Sequence, residues 1–376
     1  VVYPKIIVDV KEWRPIDRSE PFGYVDEAGR YAATLSKPHL MRGYLHEQLS
    51  RLTGNYPCDI FVGPSEERIP PEYIRGVEGV SEARRAGDSA KAIPRPTLDH
   101  VHDGIIDSDW DAFHGPEKPL FHFGPQRFDI ACARIEHYTG IEVDSLQKFI
   151  LFTNYAMHTT EFVEFGFEQL LEDGSRYTSL VLPSGREISR DHAARIDAAE
   201  LDLGSAYQMP RYDLCTRDGD GITMLNIGVG PSNAKTITDC LAVLRPEAWI
   251  MIGHCAGMDG RMRIGDLILG NAYQRQDHIL NERISRDIPI PAVPEIQRAL
   301  EASVEAIYGD DKSLMRTGTV LSTDDRNWEW KTPRDLWEWL RGSTAAAVDM
   351  ESCALATNGY RYRVPYGTLL SVSDLP

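Results

Sequence analysis

The sequence lacks the cysteine patterns that form disulfide frameworks or hold metal ions. Its six cysteines stand singly, without a Cys-x-x-Cys pair or metal-ligand spacing, so we expect reduced thiols and no metal site. Long apolar runs are also missing, since the stretches at 225–229 and 249–252 are soon interrupted. The first residues lack the basic start and apolar core of a secretory signal. We therefore expect a cytoplasmic protein that makes no use of a membrane.

Basic side chains are too few to balance the acidic ones. The 376 residues include 57 Asp and Glu against 40 Lys and Arg, a formal net charge of -17. This balance excludes a broad basic surface for nucleic acid, and any anionic ligand must be held by a local cluster. With 42% hydrophobic and 26% charged residues, the chain is typical of a globular protein large enough for two domains.

The character of the sequence changes between residues 150 and 185. The earlier part is punctuated by Pro and Gly, with strand patterns at 29–35 and 59–62 and helical patterns at 40–52 and from 147 onward. It predicts an α+β domain over 1–165. The later part alternates apolar strand runs with amphipathic helices and predicts an α/β domain over 166–376, built around a mostly buried sheet.

One βαβ unit stands out in the second part. Strand runs at 222–227 and 249–252 flank a Gly-rich turn and a helix, which predicts a parallel strand pair, with Ser232 as the N-cap of the helix. The turn lacks the third glycine and the acidic residue that dinucleotide binding needs. Its backbone N–H groups at Gly228 and Gly230 remain candidates for binding an anion or a ribose, although most such turns only close the unit.

Acidic residues follow two of the later predicted strands. The strand at 345–348 runs into Asp349, Met350 and Glu351, and two acids around a methionine suit an apolar surface beside acceptors for paired hydroxyls, as in ribose recognition. The strand at 367–372 ends near Asp374, where a partly buried acid suits general acid catalysis. Capping of a turn explains Asp374 equally well.

Two further segments are candidates for ligand contacts. The run Gly253-His254-Cys255-Ala256 follows a strand at the carboxyl edge of the predicted sheet, where ligands of open α/β folds bind. Cys255 has no defined base partner, so a cysteine nucleophile is not favoured. Trp328 lies in a polar loop, where an indole can stack on a planar base or simply anchor the loop.

Together these segments resemble the nucleoside phosphorylase and nucleosidase superfamily, most closely its members that act on AMP. The resemblance spans almost the whole chain and is carried by runs that include Phe152-Thr-Asn-Tyr155, Ile227-Gly-Val-Gly-Pro-Ser-Asn233, Met251-Ile-Gly-His-Cys255, Thr323-Asp-Asp-Arg-Asn-Trp-Glu329 and Asp349-Met-Glu-Ser352. It implies a nucleoside phosphorylase-like domain with a central mixed sheet flanked by helices, preceded by the α+β N-terminal domain.

The implied activity is hydrolysis of the N-glycosidic bond of AMP to adenine and ribose 5-phosphate. By resemblance, Asp374 is the acid at purine N7, Met350 and Glu351 are the ribose floor and hydroxyl acceptor, and Trp328 stacks on the base. The segment 253–257 corresponds to the loop that holds phosphate in phosphorylases and would hold the water or the sugar here. No water-activating base is assigned, because an oxocarbenium-like transition state accepts a weak nucleophile.

The 5′-phosphate of such a substrate needs cations or hydrogen-bond donors inside an acidic protein. The candidates are Arg42, Lys235, Arg261, Arg263, Arg326, Tyr155 and His158.

The resemblance also implies assembly and regulation. It implies a homohexamer with no required cofactor, allosteric control by ATP (as MgATP) and inorganic phosphate, and an N-terminal domain that serves regulation or substrate-phosphate contacts. Relatives continue beyond the position of Pro376 into a C-terminal helix, which we expect this sequence to lack. Two alternatives stay open: a purine nucleoside phosphorylase-type transferase, and an adenine-nucleotide sensor without turnover, for which an acid at N7 would be unnecessary.

Overall fold

A computed structural model describes residues 1–16, 23–70, 73, 101–107, 117–183, 185–201, 203, 207–309, 311 and 313–376. The chain forms two compact units. The first consists of Val1–His137 with Val243–Arg245, and the second of Tyr138–Ala242 with Pro246–Pro376. The predicted boundary at 165/166 falls inside a helix of the second unit. The unit begins earlier because the strand before that helix pairs on both sides within its large sheet.

The first unit contains a four-stranded sheet with the order β3-β1-β2-β4. Its elements are β1 (Val2–Val10), β2 (Gly29–Thr34), α1 (Arg42–Asn55), β3 (Cys58–Arg68), β4 (Lys118–Pro119) and α2 (Pro125–Thr139). Alternate residues of β1 are buried, and Val8 and Val10 pack with Tyr31, Leu52 and Tyr56 in one core. The unit thus joins helices to a sheet that is antiparallel except for the parallel pair of β2 and β4, consistent with the α+β organisation predicted for the first part of the sequence.

The second unit is built around an 11-stranded mixed sheet with the order β12-β11-β13-β14-β10-β5-β9-β8-β6-β7, in which β15 pairs with β10 and β11. Its strands are β5 (Phe149–Thr153), β6 (Tyr177–Val181), β7 (Glu187–Ser189), β8 (Arg211–Thr216), β9 (Ile222–Asn226), β10 (Ala248–Gly257), β11 (Leu267–Gln276), β12 (Ile290–Pro291), β13 (Met315–Thr323), β14 (Ala345–Asp349) and β15 (Tyr366–Asp374). Its helices are α3 (Ala156–Leu171), α4 (Arg190–Ala193), α5 (Pro231–Leu241), α6 (Pro294–Tyr308), α7 (Pro333–Arg341) and α8 (Ser352–Tyr362).

Helix α3 shows how sequence spacing covers this sheet. Phe162, Val163, Phe167 and Leu170 recur on one face of the helix and are buried against strand residues such as Leu180. Burial of such large apolar side chains contributes about 1.5–3 kcal/mol each, which fixes the helix on the sheet. Within the described ranges, no helix combines the length and the apolar character needed to cross a bilayer.

Four local predictions are wrong. The run at 253–257 does not follow the strand as a loop, because β10 continues through Gly257. The segment from 147 onward does not start a helix: Phe149–Thr153 is a strand, because a strand paired with parallel neighbours on both sides is an unbroken apolar run. Ser232 does not cap α5. The helix begins at Pro231, whose fixed φ suits its first turn, with Gly230 as N-cap. The predicted parallel pair, β9 and β10, is separated by β5, with which both pair in parallel.

Candidate active site

One pocket of the second unit collects most of the residues that the sequence singled out. It lies where β5, β10, β14 and β15 end, and the strands that bring Ala256 and Asp374 there run parallel with these two residues in register. The predicted residues that line it are Tyr155, His254, Cys255, Ala256, Trp328, Met350, Glu351 and Asp374. The pocket is also lined by Asn154, Val229, Glu329, Val348, Asp349 and Ser373, to which the sequence had given no separate role.

Glu351 lies between the end of β14 and the start of α8 and is 1% exposed. Its Oε1 accepts a hydrogen bond from the Gly230 N–H at 2.5 Å, and its Oε2 accepts one from Asn154 Nδ2 at 3.2 Å. Burial, and then the charge of Asp349, raises the pKa of Glu351 to about 8. The side chain is therefore fixed by two donors, in surroundings that disfavour its ionised form.

Asp349 is also buried, and its two carboxylate oxygens accept hydrogen bonds from groups of the protein. It accepts hydrogen bonds from the hydroxyls of Ser322 and Ser352, both at 2.5 Å, and from the Ser352 N–H at 3.0 Å. These bonds satisfy a donor at the start of α8 and anchor the turn that presents Glu351. Asp349 thus helps to position Glu351, and burial raises the pKa of Asp349.

The Gly-rich turn acts on the pocket through Glu351. Gly228 and Gly230 have φ values of +66° and +120°, which side-chain-bearing residues rarely adopt. Neither glycine is among the residues lining the pocket, whereas Val229 between them is. The N–H of Gly230 is already donated to Glu351. The Gly-rich turn, which the sequence offered as a candidate for binding ribose, therefore holds Glu351 in position instead.

Asp374 is the last residue of β15, and it is partly exposed in the pocket. The Ser373 hydroxyl donates a hydrogen bond to Asp374 Oδ1 at 2.6 Å. Glu329 lines the same pocket, and its pKa is raised first by desolvation and then by the charge of Asp374. Asp374 and Glu351 line the same pocket, so an acid and a hydroxyl-binding group can act on one ligand.

Trp328 is 7% exposed and packs in a cluster with Leu321 and Val348. Its ring centroid lies 5.6 Å from that of Trp339 on α7. The indole therefore anchors its loop, and it lines the pocket as well. The two interpretations drawn from the sequence, an anchor and a wall for a planar base, are compatible.

Three rings form one wall beside the pocket. Tyr155 and His254 line it with their ring centroids 4.2 Å apart, and His158 lies 5.3 Å from His254 on the other side. His158 Nδ1 is hydrogen-bonded to the Thr153 hydroxyl at 2.6 Å. Burial, and then His254, lowers the pKa of His158, which keeps it neutral near pH 7. This wall offers polar ring atoms rather than fixed positive charge.

The remaining predicted residues of β10 have structural explanations. Gly253 is not among the lining residues, and a Cβ there would lie 3.3 Å from Asn154 Oδ1, so its smallness lets Asn154 pack closely. Cys255 is buried, and burial raises the pKa of its thiol well above the usual range. A thiolate nucleophile at Cys255 is thus disfavoured, as the sequence indicated.

None of the predicted cations of the second unit is among the residues that line this pocket. Arg42 begins α1 in the first unit. In the second unit, Lys235 forms an ion pair with Asp239 on α5, and Arg261 pairs with Asp259 at 2.6 Å. Arg263 and Arg326 are exposed in loops. Among the described residues, those lining the pocket include four carboxyl groups and neither Lys nor Arg.

Comparisons with known proteins match both parts of the chain. The model of the family described as the bacterial AMP nucleoside phosphorylase N-terminus matches residues 1–117, and that of the phosphorylase superfamily matches residues 198–376. The AMP nucleosidase of Escherichia coli (strain K12) is 43% identical over 383 residues, covering 100% of this chain and 78% of that protein. The chain belongs to the AMP nucleosidase family.

Other members of the AMP nucleosidase family and of the wider superfamily agree with this assignment. The crystal structure of AMP nucleosidase from Bacteroides thetaiotaomicron matches with a TM-score of 0.51 and 26% identity, over 66% of this chain and 88% of that one. The 5′-methylthioadenosine/S-adenosylhomocysteine nucleosidase of Bacillus licheniformis is 22% identical over 161 residues, covering 42% of this chain and 70% of that protein. The predicted fold, a nucleoside phosphorylase-like domain with a mixed sheet after an N-terminal domain, is confirmed.

Proposed function

We propose that this chain hydrolyses the N-glycosidic bond of AMP and releases adenine and ribose 5-phosphate. The family membership supports this activity, and the observation that carries the chemistry is the placement of Asp374 and Glu351 in one pocket. Cleavage of the bond builds positive charge on the sugar and negative charge on the departing base. A site that accelerates it needs an acid at the base and acceptors at the sugar.

Asp374 acts at the base, where a proton at purine N7 makes adenine a better leaving group. Glu351 and Met350 hold the ribose, with the Glu351 carboxyl group bonded to the sugar hydroxyls and the methionine packed on the ring. Trp328 forms a flat apolar wall for the base. Water attacks the anomeric carbon on the face opposite to the departing base, and its proton is lost as the new bond forms.

The charge of the pocket favours water over phosphate as the nucleophile. The described residues that line the pocket include neither Lys nor Arg, so they offer no cationic side chain to hold a second phosphate as the nucleophile, whereas a water needs none. The 5′-phosphate of the substrate then projects toward Tyr155 and His254, with His158 behind them. Tyr155 and His254, which line the pocket, donate hydrogen bonds to it.

The direct test is to incubate the purified protein with AMP and, separately, with adenosine in phosphate-free buffer, with and without MgATP, and to resolve adenine by chromatography. Adenine and ribose 5-phosphate from AMP alone support the proposal. Release that depends strictly on added phosphate contradicts it and favours a phosphorylase. No adenine from either compound, with AMP still bound in calorimetry, favours a nucleotide sensor.

We further propose a cytoplasmic homohexamer that needs no cofactor and responds to MgATP and inorganic phosphate. Sedimentation of the purified protein tests the assembly. The same adenine assay, run over a series of MgATP and phosphate concentrations, tests the regulation, and a rate that ignores both ligands contradicts it.

A further inference from the structure

The second unit contains another groove, which is lined by three arginines. Arg176, Arg190 and Arg217 line it together with Asp218 and Asp220, and it encloses about 760 Å³. That volume lies within the range of ligand-binding clefts in proteins. The active-site pocket, by contrast, has neither Lys nor Arg among the described residues that line it. This arginine groove therefore offers the positive charge that the pocket lacks.

The arginine groove lies at the opposite end of the sheet from the pocket. Its residues Tyr177 and Thr216 are paired where β6 begins and β8 ends. The turn after Thr216 leads into β9, whose first residue is in register with the first residue of β5. The pocket lies at the other end of β5, where Asn154 follows the strand. A strand rises about 3.3 Å per residue, so the length of β5 separates the two ends by about 15 Å.

The three guanidinium groups are only partly occupied by the protein. Arg176 Nη2 contacts Asp220 Oδ1 at 2.7 Å, and Arg190 Nη2 contacts Asp173 Oδ1 at 3.0 Å. Arg217 is exposed, and it makes no hydrogen bond or ion pair with the residues that the structure describes. A guanidinium group carries five N–H donors in a planar fork, so each of the three arginines keeps donors for a ligand.

The acidic residues of the groove do not cancel its positive charge. Asp220 already accepts a hydrogen bond from the Thr216 hydroxyl at 2.6 Å and pairs with an arginine of the groove. Asp218 is the second lining acid, so three positive charges stand against two negative ones among the lining residues. Ser175 and Tyr177 add neutral donors. The Ser175 hydroxyl accepts a hydrogen bond from the Tyr177 N–H at 3.2 Å and keeps its own proton to donate.

We propose that the arginine groove binds a phosphate group, carried either by inorganic phosphate or by the phosphate chain of MgATP. Guanidinium forks match phosphate oxygens in both geometry and charge, and hydroxyl donors complete such a site. Strand β9 connects this groove to the active site. It begins after the turn that bears Arg217 and ends before the turn whose Gly230 N–H holds Glu351. An effect of bound phosphate on the rate rests on the proposed hydrolysis of AMP, whereas the binding itself does not.

The experiment is calorimetry of the full chain with inorganic phosphate and, separately, with MgATP at constant ionic strength. We expect R217Q to bind at least one of these ligands about tenfold or more weakly than the wild type, because a charge-assisted hydrogen bond is lost. R217K keeps the charge but not the fork, so its affinity should fall between the two. The exposed Arg298 on α6 provides the matched control, R298Q, which should bind as the wild type does. Thermal unfolding checks that all variants are folded.

A loss confined to inorganic phosphate assigns the groove to the free anion, and a loss confined to MgATP assigns it to the nucleotide. Equal affinities of R217Q and the wild type for both ligands overturn the inference, as does a wild type that binds neither.

The adenine assay gives a second readout. Without added ligand, R217Q should keep the wild-type kcat and KM for AMP, and with the ligand that it no longer binds it should lose the change in rate. An unchanged response contradicts the effect on the rate. A wild type that releases no adenine contradicts the proposed function, while calorimetry still decides whether the groove binds phosphate.

Discussion

The two acids that the chemistry requires occupy opposite environments. Glu351 is almost fully buried, is held by Gly230 and Asn154, and has a pKa raised to about 8. Asp374 is partly exposed at the end of a strand, where it accepts a hydrogen bond from the Ser373 hydroxyl. A rigid, desolvated group suits binding of the sugar, and an accessible one suits proton transfer.

Replacement of Asp374 by Asn should lower kcat by about 10² or more and leave AMP binding largely intact. The amide keeps the shape of the side chain but supplies no proton to N7. Steady-state kinetics and calorimetry measure the two effects. The exposed Asp218 supplies the control, D218N, and near wild-type turnover in D374N would remove Asp374 from this role.

Replacement of Glu351 by Gln should raise KM for AMP and lower kcat together. In the proposed mechanism this group contacts the sugar both before and during bond cleavage, so we expect its loss to weaken both states. Kinetics with AMP at a single pH measure this, and an unaltered rate would refute the assignment to ribose.

The same variant should change how stability depends on pH. The pKa of Glu351 is raised from 4.5 to about 8, so the native state keeps a proton that the unfolded chain loses. Its contribution to the free energy of unfolding is complete below 4.5 and is lost as the pH rises through about 8. Between these values the wild type should lose more stability in urea unfolding than E351Q. Parallel losses in both proteins would show that Glu351 titrates normally.

The pattern of strand ends predicted the principal acids but not their partners. Asp374 and Glu351 follow apolar runs that are recognisable in the sequence alone. Asn154 and Glu329 lie inside the motifs that carried the resemblance, yet Asn154 is bonded to Glu351 and Glu329 shares the pocket with Asp374, which are distant in sequence. Only the folded sheet brings them together.

At the scale of elements, the βαβ region shows that sequence patterns predict where elements lie along the chain but not the order in which strands pair. The apolar spacing located β9 and α5 closely, because it reflects burial within each element, and it located the start of β10 but not its continuation from 253 to 257. It did not show that β5 lies between β9 and β10. Pairing order depends on a strand that precedes β9 by many residues, and no local pattern encodes it.

Replacement of Gly230 by Ala tests the turn between β9 and α5. The space around Gly230 is open, so the cost comes from its φ of +120° and amounts to about 1–3 kcal/mol. The shifted N–H should also release Glu351 and raise KM for AMP. Thermal unfolding and kinetics measure both effects, with the exposed Gly260 changed to Ala as control. Equal behaviour of the two variants would show that the turn does not support the site.

At the scale of the whole molecule, the excess of acidic residues in the composition is also found among the residues that line the pocket. The net charge of -17 led us to expect a local cationic cluster for an anionic substrate. The second unit instead pairs Lys235 and Arg261 with neighbouring aspartates and lines the pocket with acids and neutral rings. Side-chain pairing of this kind is decided by tertiary neighbours, which is why composition did not predict it.

The strand that carries Asp374 is held on both sides, by β10 in parallel and by β11 in antiparallel pairing. Its backbone amides should therefore exchange with deuterium only through rare openings of the sheet. Asp324 and Asn327, in the loop before Glu329, are exposed and should exchange quickly. We therefore expect Asp374 to stay in place during turnover and any movement that admits the nucleotide to involve the exposed residues 324–327.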